Sequence, residues 1–192
     1  PQQKDSFPTD KTIVTGNPMR FAQRPKRESI NSILIMGGSL GAKSLNSQMN
    51  KLIPELAKEG HVHHILGPTN YNQKLDLKEN YTAYRFVSDN LAQLMQEASV
   101  VICRAGISTI TELARFRKAV VLVPIPNSHQ EKNAKFFADN GATFKVKQSN
   151  LPELKSQVLT LLHNPAVRER LGQSLYDLFP RHPLSTYVNL IE

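Results

Sequence analysis

Short apolar runs recur along the chain, separated by stretches in which apolar residues return every three or four positions. The runs are Ile33–Met36, Val62–Leu66, Thr82–Phe86, Val100–Cys103, Val120–Val123 and Thr143–Val146. They are rich in branched residues and bounded by polar or small ones, so each predicts a strand. Between them, Leu45, Met49, Leu52, Ile53 and Leu56 fall on one helical face. Pro54 sits inside that pattern and predicts a kink or break. Leu91, Leu94 and Met95 predict a short helix, and Phe136 and Phe137 lie in another that Gly141 ends. Leu151, Leu154, Val158, Leu161 and Leu162 mark a later helix. Asn164-Pro165 then restarts the chain into Val167, Leu171, Leu175 and Leu178.

Strands alternating with helices predict βαβ units. The fold class expected is α/β, a Rossmann-like parallel sheet with helices on both faces. Ligands of such sheets bind outside the carboxyl ends of the strands. The first thirty residues are rich in proline and basic residues and read as a linker leading into a domain over 31–192. No internal repeat or low-complexity tract interrupts that domain.

Composition narrows the class. The chain has 192 residues with 40% hydrophobic and 21% charged residues, which is ordinary for one globular domain. No apolar run approaches the roughly 20 residues that span a bilayer. The start, Pro1-Gln2-Gln3-Lys4-Asp5, has no initiator Met and no signal-peptide pattern, and reads as an excised or processed chain. The single cysteine, Cys103, excludes an internal disulfide and closes an apolar strand, which makes it a core residue. A formal net charge of +8 favours anionic partners. The one basic cluster, Arg20 to Arg27, lacks interleaved aromatics, so no nucleic acid partner is expected. His61, His63 and His64 alternate about a strand without matching Cys or carboxylates, and no D-x-D pair is present, so no metal or cofactor is expected.

The chemistry concentrates after the strands. Gly37-Gly38-Ser39-Leu40-Gly41-Ala42 follows the first run. Its glycines permit positive φ and close backbone approach, and Ser39 can donate to a phosphate. It is neither a Walker A loop nor G-x-G-x-x-G. Cys103-Arg104-Ala105-Gly106-Ile107-Ser108-Thr109-Ile110-Thr111-Glu112 follows the fourth run. Both segments read as a strand, a small-residue turn and a helix N-terminus, an arrangement that binds anions. Thr109-x-x-Glu112 also fits a capping box. Glu112 is therefore either a cap partner or an acceptor for vicinal ribose hydroxyls, with the amides of Ser108 and Thr109 facing phosphate oxygens. After the fifth run, Ser128-x-x-Glu131 is again a capping box. His129, Gln130 and Asn133 on that helix start suit a polyol such as a sugar. Thr15-Gly16-Asn17-Pro18-Met19-Arg20 places a turn before an Arg that can clamp a phosphate.

In order and spacing, T-G-N-P-x-R, G-G-S-x-G-A, C-R-x-G-x-x-T-x-x-E and H-Q-x-x-N-A resemble the MurG family. These bacterial transferases add N-acetylglucosamine to lipid I to make lipid II. The resemblance covers essentially the whole chain, as the carboxyl-terminal, donor-binding half of a two-domain GT-B enzyme. It implies that Arg20 contacts the donor diphosphate with Ser39 near it. The Val87 backbone would read the uracil edge, and Ile107 to Thr109 would present amides to phosphates, in a segment continuing through Ile110 and Thr111. Glu112 would hold the ribose, and His129 and Gln130 the sugar, with Asn133 close by. It further implies UDP-N-acetylglucosamine and, through the family's other half, lipid I as partners, at the cytoplasmic face of the bacterial membrane as a peripheral protein. The family's general base belongs to that other half, so no catalytic residue is expected here. Two alternatives stay open: a non-catalytic sugar-nucleotide-binding subunit that needs a separate acceptor-binding partner, and half of a UDP-sugar epimerase.

Overall fold

Each of the six apolar runs becomes a strand in the computed structural model, which describes residues 31–38, 42–77, 79–88 and 90–179. The strands are β1 (Ser32–Met36), β2 (His61–Ile65), β3 (Tyr81–Tyr84), β4 (Val100–Cys103), β5 (Ala119–Leu122) and β6 (Phe144–Lys145). The helices are α1 (Lys43–Leu56), α2 (Leu91–Glu97), α3 (Ile107–Arg115), α4 (His129–Asp139), α5 (Leu151–His163) and α6 (Pro165–Asp177). The expected linker over 1–30 lies outside the described residues.

The strands form one sheet in the order β3-β2-β1-β4-β5-β6, and every pairing is parallel. β1, β4 and β5 are buried along their whole length. That is why they read as continuous apolar runs and not as alternating patterns. Side chains alternate across the sheet. Ile33, Ile35, Val100 and Ile102 meet Leu45, Met49 and Ile53 of α1 and Leu154, Val158 and Leu161 of α5. On the opposite face Leu34, Met36, Val101 and Cys103 meet Met95 of α2, Ile110 and Leu113 of α3, and Phe137 of α4.

Local sequence sets where the helices start and stop. α1 runs through Pro54 and ends at Leu56, so the proline falls in the last turn and does not divide the helix as expected. Asn150 and Asn164 cap α5 and α6, each accepting from an amide three residues on, with Pro in the first turn. Gly141, at φ 64°, closes α4. The Ala142 amide reaches the Phe137 carbonyl and the Gly141 amide reaches that of Ala138, the paired bonds of a Schellman motif.

The three histidines divide between the faces of β2. His61 and His63 lie together, bonded to Thr82 Oγ1 (2.8 Å) and the Tyr84 hydroxyl (2.9 Å). His64 points the other way and is fully buried. It shares hydrogen bonds with Asn46 Oδ1 (3.2 Å) and the Tyr81 hydroxyl (3.3 Å), while Asn46 Nδ2 donates to the Leu66 carbonyl (2.9 Å). All these partners are neutral, and burial pulls the His64 pKa from 6.5 down to about 4. Between those values the unfolded chain binds a proton at this site that the folded chain excludes. The contribution is complete above pH 6.5 and is lost as pH falls toward 4, by about 3 kcal/mol. A proton NMR titration should place the His64 midpoint below pH 5, with urea unfolding showing lower stability at pH 4.5 than at 7. A His64 midpoint near 6.5 contradicts this assignment.

Candidate functional site

With all six strands parallel, every carboxyl end lies at one edge of the sheet. Chain direction reverses between β1 and β4: β1 leads through α1 to β2 on one side, and β4 leads through α3 to β5 on the other. α1 packs on one face and α3 on the opposite face. The two helices therefore diverge from adjacent strand ends and leave a crevice, the usual ligand position in this architecture.

Neither helix has a side-chain cap. Ala42 precedes α1 and Gly106 precedes α3, and neither supplies a capping bond. The first amide of α3 with a helical acceptor is that of Ile110, bonded to the Gly106 carbonyl at 3.1 Å. The amides of Ile107, Ser108 and Thr109 have no helical acceptor of their own. Before α1, Gly37 and Gly38 act as expected. Gly38 has φ 107°, and a Cβ on Gly37 would lie 2.4 Å from that of Ala42. Ser39 lies outside the described residues, as does Arg20.

The capping box at Thr109 does not form. α3 begins at Ile107, so Thr109 is already its third residue and Glu112 lies in the second turn. The turn Ala105-Gly106 lets the chain enter the helix three residues earlier than the pattern suggests, with Gly106 and not Thr109 at the N-cap. Glu112 is buried (5% exposed), as is Thr111, whose hydroxyl donates to the Ile107 carbonyl at 2.9 Å. Ile110 is wholly buried in the core, Ile107 is half-buried, and Ser108 is exposed.

At the second site the Ser128 cap forms, to the Gln130 amide and not to the Glu131 amide of the expected box. Ser128 Oγ accepts from the Gln130 amide (3.2 Å) and donates to the Ile125 carbonyl (2.7 Å). His129 is exposed at the start of α4. Gln130 and Asn133 have backbone partners. Gln130 Oε1 accepts from the amides of Ala105 (3.2 Å) and Ile125 (3.3 Å), and Asn133 Nδ2 donates to the Ala105 carbonyl (3.0 Å). The two side chains pin the turn before α3 to the start of α4. Residues expected to meet a sugar thus also fix the spacing between two loops of the crevice.

Arg104, which the sequence pattern leaves without a role, braces the loops at the sheet edge. It is 5% exposed. Nη1 donates to the carbonyls of Val123 (3.0 Å) and Pro124 (3.1 Å) at the end of β5. Nη2 donates to Ser44 Oγ in the first turn of α1 (2.9 Å) and to Gln148 Oε1 beyond β6 (2.9 Å). Burial lowers its pKa. The sequence signal was present: a charged residue directly after Val-Val-Ile-Cys has nowhere to go but among the loops at the sheet edge. Cys103 beside it is a core residue as expected, its thiol pushed up to about 12 by burial and therefore unreactive.

Val87 follows β3 at the same edge and is half-buried against the apolar layer that holds Leu91. The exposed large apolar side chains among the described residues, Phe86 (59%) and Ile125 (44%), also follow strands there. No described helix is long and apolar enough to cross a membrane.

Comparison with known proteins matches this geometry. The family described as Glycosyltransferase family 28 C-terminal domain matches residues 32–174. A relative from Acinetobacter baumannii (strain ACICU) is 36% identical over 183 residues, covering 83% of this chain and 50% of its own length. It is named UDP-N-acetylglucosamine--N-acetylmuramyl-(pentapeptide) pyrophosphoryl-undecaprenol N-acetylglucosamine transferase. The crystal structure of Acinetobacter baumannii MurG superposes with a TM-score of 0.70 at 33% identity, covering 86% of this chain and 50% of that one. The glycosyltransferase of kitacinnamycin superposes with a TM-score of 0.77 at 19% identity over 99% of this chain and 51% of that one, a likeness of fold. The chain thus spans about half the length of these relatives. Its sheet and helices are one half of a GT-B architecture, and the chain belongs to the glycosyltransferase family 28 C-terminal domain family, with similarity to MurG across most of its length.

Proposed function

We propose that this domain binds UDP-N-acetylglucosamine as the donor half of an inverting glycosyltransferase that converts lipid I to lipid II. The observation that carries the reading is the pair of uncapped helix N-termini, α1 and α3, set at the β1–β4 switch point with Glu112 buried in the second turn of α3. The open amides of Ile107 to Thr109 suit phosphate oxygens. Glu112, buried in the second turn of α3, would hold the ribose hydroxyls. The Val87 backbone, half-buried at the carboxyl end of β3, suits the uracil edge, and Arg20 and Ser39 would complete the diphosphate site. His129 with Gln130 and Asn133 would face the sugar.

In this reading the domain supplies the leaving-group half of the chemistry. Transfer displaces UDP from the anomeric carbon, and negative charge grows on the departing phosphate. Helix N-termini and basic groups stabilise that charge where it develops. The acceptor's diphosphate and the general base belong to an amino-terminal domain, which would face the edge carrying Phe86 and Ile125. The +8 charge of the chain favours peripheral attachment to an anionic membrane at its cytoplasmic face.

Titration calorimetry with UDP-N-acetylglucosamine, UDP and ADP tests the site. Saturable binding should favour UDP over ADP, and Glu112→Gln should weaken UDP by about tenfold, the value of a charged hydrogen-bond pair to a diol. No binding of UDP by a folded chain contradicts the reading. Equal affinity for UDP and ADP removes the uracil assignment, and an unaffected Glu112→Gln variant removes the ribose assignment. The division of labour has its own test. The purified chain should bind donor yet transfer no sugar to a lipid I analogue, and turnover by this chain alone would overturn the assignment of the base to another domain.

A further inference from the structure

We propose that Arg104 is a positioning residue for the donor diphosphate, a buried guanidinium that locks the first turn of α1 to the end of β5 and sets behind the crevice a positive charge whose hydrogen-bond partners among the described residues are all neutral. The inference rests on the donor-binding reading above. Its first support is connectivity. Arg104 follows the last residue of β4 and precedes the N-cap of α3 by two positions, while its Nη2 holds Ser44 of α1. One side chain thereby joins the two uncapped helix starts. Its other bonds, to Val123, Pro124 and Gln148, tie both to the loops after β5 and β6.

The second support is charge. All four acceptors of the guanidinium are neutral oxygens: two carbonyls, a hydroxyl and an amide oxygen. Nε is buried with no hydrogen-bond partner among the described residues. Burying a cation without a paired anion is costly, and the cost is tolerated where an anion completes the site. The starts of α1 and α3 add the positive ends of two helix dipoles at the same place. Three positive features then converge on one crevice, and a diphosphate is the ligand chemistry that relieves them. The planar fork does two things together, since it spans four acceptors and keeps its charge when buried.

The test compares a ligand with the diphosphate and one without it. UDP and uridine are titrated into the full chain and into Arg104→Met, Arg104→Lys and Ser44→Ala, with binding followed by chemical shift so that millimolar affinities are measurable. Arg104→Met should weaken UDP by about tenfold or more, as expected for loss of a charged hydrogen-bonding group, and leave uridine within about twofold. Arg104→Lys should recover part of the UDP affinity, because an ammonium keeps the charge and loses the fork. Ser44→Ala changes an exposed helix-start residue that threatens the fold little. It should weaken UDP by a factor of about two to five, one hydrogen bond's worth, with uridine unchanged. Equal loss of UDP and uridine in Arg104→Met means a merely structural brace and overturns the proposal. So does UDP affinity unchanged in Arg104→Met or, should that variant not fold, in Ser44→Ala. A wild-type chain that binds uridine or UDP while the variants follow it unchanged refutes this inference alone. A wild-type chain that binds neither refutes the donor-binding reading with it.

Discussion

The parallel pairing of β1 with β4 is the constraint on which the rest depends. Their register runs from Ile33 beside Val100 to Met36 beside Cys103. It brings two strand ends side by side although Met36 and Cys103 lie 67 positions apart in sequence. From those ends the backbone leaves toward opposite faces, into α1 and α3. A crevice follows from that divergence, and so does the meeting of two helix N-termini. An antiparallel pairing would send one of them to the far edge, and a shift by one residue would exchange the side chains of β1 between the two core layers. Burial of both strands on both faces is what holds the register.

Loop chemistry then turns this edge into a site. Gln130 and Asn133 grip the peptide of Ala105 from the start of α4, and Arg104 grips α1, β5 and the loop beyond β6. These contacts are side chain to backbone or side chain to side chain, between segments far apart in sequence. They hold the open amides of α3 at a fixed distance from the turn after β1. A preorganised arrangement of this kind lets a phosphate bind without reordering the loops, which is where such sites gain affinity. His64 and Asn46 do similar work deeper in the fold, tying α1 to β2 through buried neutral hydrogen bonds.

Much of this was legible in the sequence, because the sheet is buried on both faces and its strands are unbroken apolar runs. Their ends moved by a residue or two, most at the edge strand β3, where the run Thr82–Phe86 becomes Tyr81–Tyr84. Pro54 and Thr109 misled for the same reason. A local rule sees a residue type, whereas its place in the helix depends on where the helix begins. α1 ends soon after Pro54 in any case, and α3 begins before Thr109. The glycine turn, the Ser128 cap and the core position of Cys103 were readable from spacing. The backbone bonds of Gln130 and Asn133 were not, because their partner Ala105 lies on another loop. Arg104 was visible as a charge after an apolar strand, but its four acceptors come from three separate segments.

The account stands on the claim that the starts of α1 and α3 together form the phosphate site. The most direct measurement is an amide proton–nitrogen correlation spectrum of the labelled chain, titrated with UDP-N-acetylglucosamine. The account predicts that the largest, saturable changes fall on Gly37 to Ala42 and Gly106 to Thr109, at opposite sides of one crevice. Changes confined to one of those turns, or centred on the amino ends of the strands, would contradict it.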